Sequence, residues 1–221
     1  MTADTTALLR LLAWLSPAFP TGAFAHSHGL EWATEAGDIA DRATAHAWLD
    51  ALLRQGDLRS DAILLRHAHR AATRHDHAAL AEIAALAEAA TPGRERRDET
   101  LSQGTAFAAA ARTWGELALP PGRVALPVAV AATAAVHAID EHAACAGFLH
   151  AAIANLTSAA VRLVPLGQTD GLRILHALEP AILATAQDTA TATLDDLGTA
   201  CLRADLASLR HETQRTRLFR T

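Results

Sequence analysis

Histidine is the side chain in this sequence with the widest scope for chemistry, and there are twelve. Imidazole binds transition metals and titrates near neutrality. Three pairs have His-x-His spacing: His26/His28, His67/His69 and His75/His77. Residues two apart on a helix do not share a face, so His67 and His69 cannot chelate one ion unaided. His26 and His28 fall at a loop–helix junction, where geometry is freer. They are the candidate metal ligands, but no HExxH motif or cysteine cluster accompanies them, so no metal site is firmly indicated.

Other chemistries lack their residues. The chain has no lysine, which rules out a P-loop and a Schiff-base nucleophile. There is no GxSxG motif, and Glu31, Glu35, Asp38 and Asp41 stand in polar settings that suit helix caps better than acid–base catalysis. Catalytic residues are therefore not expected. Net charge is −5, unlike a general nucleic-acid binder. Cys145 and Cys201 are far apart and read as free thiols of a reducing compartment. The N-terminus carries Asp4 and Arg10, unlike a signal peptide, and the longest apolar run, 124–136, is too short to span a membrane. The expectation is a cytoplasmic protein that binds neither membrane nor nucleic acid.

The last residues differ from the rest. From Arg203 to Thr221 there are five arginines against two acids, with Leu218 and Phe219 set between arginines. Such a segment is either a frayed helix end or one that orders on a partner or on its own domain, with Phe219 as anchor. The block Arg94–Glu99 reads as a solvated helix face with Arg94 paired to Asp98.

The elements that must position these residues are helical. Alanine is abundant and strand-favouring residues are sparse. Periodicity and punctuation predict helices over about 5–15, 27–36, 42–55 (capped by Asp41), 58–74, 77–90, 94–117, 125–139, 141–164 and 169–186, then a loose connector over 188–199. The fold class is all-α: a single domain over 1–221, an irregular bundle of about nine helices with a flexible C-terminal tail from about 203.

Three segments, in order, resemble the urease accessory protein UreF family. The first is Ser16-Pro17-Ala-Phe-Pro20-Thr-Gly22-Ala-Phe24 followed by His26, Ser27, Gly29 and Glu31, which is similar to the signature SPALPVGGFSYSQGLE. The second runs from Val161 to Gly171 and holds Arg162 and Gln168. The third is Arg210-His211-Glu212-Thr-Gln214 with Arg217-Leu218-Phe219-Arg220. A weaker fourth is Arg94, Glu95, Arg97 and Glu99 through Gln103 and Gly104.

The resemblance implies an all-α protein, usually a homodimer, with no catalytic activity and no cofactor of its own. It would bridge a UreD/UreH-type accessory protein and the nickel-carrying UreG-type GTPase, so that nickel passes through the complex into apo-urease. It also implies an influence on GTP hydrolysis, and partner binding through the loop and tail residues just named. The chain departs from the family where Ala23, Ala25, His26 and His28 stand for Gly, Ser, Tyr and Gln, and where Arg215 stands for Tyr. A stand-alone nickel-binding protein built on histidine remains the alternative.

Overall fold

The computed structural model describes residues 5–221; Asp4, part of the N-terminal reading above, lies outside them. Ten α-helices are present among the described residues, with no strand. They are α1 Thr5–Trp14, α2 Leu30–Glu35, α3 Arg42–Gln55, α4 Asp57–Thr73, α5 His77–Ala89, α6 Arg94–Ala111, α7 Leu126–Val136, α8 Glu141–Leu163, α9 Gln168–Asp188 and α10 Leu202–His211. The first nine answer one by one to the nine helices expected; the tenth, α10, lies in the segment expected to be a flexible tail.

Local chemistry sets the boundaries. Asp41 accepts from the Thr44 amide at 2.8 Å, and Thr44 Oγ1 accepts from the Asp41 amide at 3.0 Å, closing a capping box on α3. Asp76 and Asp140 cap α5 and α8 through the amides of Ala79 and Ala143. Two boundaries differ from expectation. The helix expected from residue 27 begins at Leu30, because His28 and Gly29 are left-handed, with φ of 61° and 78°. The helix expected to reach 117 ends at Ala111 in a short 3-10 turn over Arg112–Trp114.

The core is one continuous apolar cluster. At its centre is α7, apolar on every side and buried from Pro127 to Ala134, packed between α4 and α6. Close approach is obligatory at Gly104 of α6, where a Cβ would lie 2.0 Å from the Val124 carbonyl oxygen. Buried Arg66 of α4 ties three helices together. It donates to Glu141 of α8 and to the Ala186 carbonyl of α9, while Arg70 holds the same Glu141 at 2.7 and 2.8 Å. Charge-assisted, multiply bonded pairs of this kind lock relative helix positions.

One helix, α8, has the length and hydropathy of a membrane span, yet half of that window is packed inside the bundle, as in a core helix. The connector expected to be loose is tethered. Arg59 donates to the Asp196 carbonyl, Ser60 to that of Gly198, and the Ala200 amide to that of Gln55. The tail, expected to be flexible, lies docked on the bundle. Helix α10 packs on α2, and Phe219 is 5% exposed. The physical reason is a set of carboxylates waiting for it.

Candidate functional site

The docked tail and the 16–31 loop form one face, built chiefly by two short stretches of helix. On α2, Glu31 and Glu35 stand one turn apart; on α6, Glu95 and Glu99 do the same. Side chains four apart share a helix face, so each helix presents two carboxylates toward the tail.

Each carboxylate has a distinct task. Glu31 accepts the amides of Leu218 at 2.6 Å and Phe219 at 2.9 Å, and faces His211 Nε2 at 3.2 Å. Glu95 faces His211 Nδ1 at 2.7 Å and accepts from Arg217 at 2.6 Å. Glu35 accepts from the Gln214 amide group at 2.6 Å. Glu99 accepts from the Thr221 hydroxyl at 2.7 Å. His211 is therefore fully buried with a carboxylate on each ring nitrogen. Such bonds to charged acceptors are about twice as strong as neutral ones.

The tail returns the service at one helix end. Gly93 gives α6 no side-chain cap, and Glu212 supplies it from outside. Its carboxylate accepts the amides of Arg94 at 2.6 Å and Glu95 at 3.2 Å, where a helix N-terminus favours negative charge.

The loop contributes its backbone and one aromatic ring. The Ala25 carbonyl accepts the Arg220 amide, and the Ser27 amide and hydroxyl both donate to the Thr221 carbonyl. Arg162 of α8 lies over the rings of Phe24 and Phe219, 4.0 and 4.3 Å from their centroids, and donates to the Phe24 carbonyl at 3.1 Å. One guanidinium thus joins loop, tail and bundle. Gly29, with φ of 78°, lets α10 approach; a Cβ there would sit 2.8 Å from the Ser208 amide nitrogen.

Beneath this face is a buried charged group. His28 bonds Asp57 and faces Glu99 at 3.7 Å; Arg96 bonds Asp57 at 3.2 Å and Glu99 at 2.6 Å. Burial and Arg96 push the His28 imidazolium down, but Asp57 and Glu99 outweigh them and raise it to about 9. Asp57 and Glu99 are held well below the usual carboxylate range: His28 and Arg96 beside them overcome the cost of burial. His26 is lowered, chiefly by burial, and its Nδ1 lies 3.3 Å from the Thr221 hydroxyl.

The UreF family model matches residues 39–179. The urease accessory protein UreF of Rhodopseudomonas palustris strain TIE-1 is 54% identical over 227 residues, covering 99% of this chain and 94% of its own length. That of Bradyrhizobium sp. strain ORS 278 is 52% identical over 225 residues, with 99% and 94% covered. The chain belongs to the UreF family. The UreF model itself stops short of both loop and tail, whereas the UreF relatives run through nearly the full chain, docked face included.

Most of the residues picked from the UreF-like segments meet on this face: Phe24, His26, Ser27, Gly29, Glu31, Arg162, His211, Glu212, Arg217, Leu218, Phe219 and Arg220. Ser16, Pro17, Pro20 and Gly22 shape the loop, with Gly22 left-handed at φ of 76°. Gln168 is exposed at the start of α9 and stands outside the network, and the Arg210 side chain points to solvent.

Two expectations are corrected. Glu31 and Glu35 bind the tail and are not spent on capping. Asp98 pairs with Arg123 at 3.2 Å in place of Arg94, and the supposedly solvated block buries Arg96 and Glu99. The histidine pairs diverge. His67 and His69 bond the carbonyls of Ala192 and Ile139, and His26 and His28 bond Thr221 and Asp57. Among the described residues no group of three His, Cys, Asp or Glu is placed to hold a metal. Sequence reasoning missed Glu35, Thr221, Asp57 and the roles of Glu95 and Gln214. The four-residue spacing of Glu31/Glu35 and Glu95/Glu99, opposite an arginine-rich tail, was the available signal.

Proposed function

We propose that this UreF-family chain serves urease maturation as a non-catalytic adaptor, acting in the cytoplasm as a homodimer. It joins a UreD/UreH-type protein to a UreG-type GTPase so that nickel, the cargo, reaches apo-urease, and it conditions GTP hydrolysis in that assembly. The observation that carries this reading is the assembly of loop and tail into one face.

That face has the composition of a docking surface. Phe24 and Leu218 are each 69% exposed, and α10 turns Leu202, Leu206 and Leu209 outward. Exposed arginines at 210, 215 and 220 border them. Apolar anchors rimmed by arginine are typical of interface centres.

The test is co-purification of the full chain with the UreD-type and UreG-type proteins, and urease activation in the same cells. A chain lacking 208–221 is expected to lose the UreD-type partner and to leave urease inactive. Full assembly and activation by that variant would refute the role given to the tail.

A further inference from the structure

Under the loop of residues 16–24 lies a cavity of about 380 Å³. This size falls in the range of small-molecule sites. One wall is apolar, formed by Phe107, Val130 and Phe148. The polar wall is formed by Asp61 of α4 with Arg96 and Gln103 of α6. Exposed Phe24, His150 and Ser158 also line it, and these place its mouth at the surface.

Two observations mark the polar wall as prepared for a guest. The first is charge. Asp57, Asp61 and Glu99 are three carboxylates, and they face two cations, Arg96 and the His28 imidazolium. Above about pH 7 one negative charge is left over, and Asp61 carries it. Burial, then the like charge of Asp57, pushes its carboxyl up to about 7. An incoming anion would meet this surplus; an incoming cation would cancel it. The second is a pair of orphan donors. Trp14 and Arg96 both line the cavity and are almost wholly buried, yet the indole Nε1 and the guanidinium Nε have no hydrogen-bond partner among the described residues. Buried donors left unpaired are costly, and a bound acceptor atom relieves them.

We propose that this cavity binds a small organic amine: its ammonium on the Asp61 carboxylate, its ring-sized apolar body against Phe107, Val130 and Phe148, and an acceptor atom on Trp14 or Arg96. The inference does not depend on the adaptor reading. Asp61 serves no part of the docked tail.

The test is calorimetric titration of the full chain at pH 8 with 4-methoxybenzylamine, and with 4-methoxybenzyl alcohol as the uncharged isostere. The amine is expected to bind at least tenfold more tightly. Asp61→Asn is expected to bring the two to equal affinity. Should that variant not fold, the unaltered chain still decides. The Trp14 indole N–H resonance, assigned by Trp14→Phe, is expected to shift with the amine. Equal binding of amine and alcohol, no binding of either, a preference that survives Asp61→Asn, or an unmoved Trp14 resonance would overturn the proposal. So would displacement of the amine by nickel ion alone, which would make the cavity a metal site.

Discussion

Two regions of this molecule use the same chemistry for different ends. In the α4–α8–α9 junction, Arg66 and Arg70 grip Glu141 and the carbonyls at the end of α9. In the tail cradle, Glu31, Glu35, Glu95 and Glu99 grip a short segment that has no helix of its own beyond His211. Arg66, Arg70, Glu141 and Ala186 stand on long packed helices, so opening the junction means opening the core. The tail offers backbone groups and the side chains of Gln214, Arg217 and Thr221, and apart from Phe219 little apolar surface holds it. The same charge-assisted bonds therefore build a permanent joint in one place and a detachable one in the other.

The sharpest way to break this comparison is Arg66→Ala. It leaves Glu141 underpaired and the Ala186 carbonyl without its charged donor. The expected loss is about 3–5 kcal/mol of global stability, read from urea unfolding. A loss below about 1 kcal/mol would mean that the junction is no stronger than the cradle.

The next effect is a pH dependence. The folded state holds the His28 proton up to about 9, above the 6.5 of the free side chain. Its contribution is thus complete below pH 6.5 and is lost as pH rises through 9. The loss is on the order of 3 kcal/mol at most, at about 1.4 kcal/mol per pKa unit. His28→Gln should flatten stability between pH 6.5 and 9.5; an unchanged slope would show that the imidazole is not the group responsible.

Glu31→Ala should release the tail and spare the bundle. It removes the acceptor of two amides, at about 1–3 kcal/mol for groups left unpaired. Hydrogen exchange at residues 212–221 should rise while amides of α4 and α7 keep their protection. Simultaneous loss in both would merge the two regions into one cooperative unit.

Arg217→Ala should do least. Its guanidinium is partly exposed and meets one carboxylate, so the expected cost is about 0.2–1 kcal/mol, visible as faster tail exchange and not as a shifted unfolding midpoint.

The helices were legible because their signals are local. Asp41 with Thr44, the Pro17 stop and the Thr91-Pro92-Gly93 turn each act within a few residues. The left-handed pair His28-Gly29 was not legible, since positive φ is uncommon for any residue but glycine and the helix was expected to begin before it. The site divides in the same way. The loop and tail were visible as segments, but their meeting rests on bonds that join residues more than a hundred positions apart. Glu31 and Glu95 look solvated until a partner from the far end of the sequence is placed beside them.

The cap that Glu212 gives to α6 has a consequence for synthesis. Arg94 leaves the ribosome 118 residues before the side chain that satisfies its amide. Throughout that interval the first turn of α6 carries open donors, and Glu95, whose amide shares the same cap, waits with it. The cradle is therefore finished last, in the order of translation, by the segment it holds.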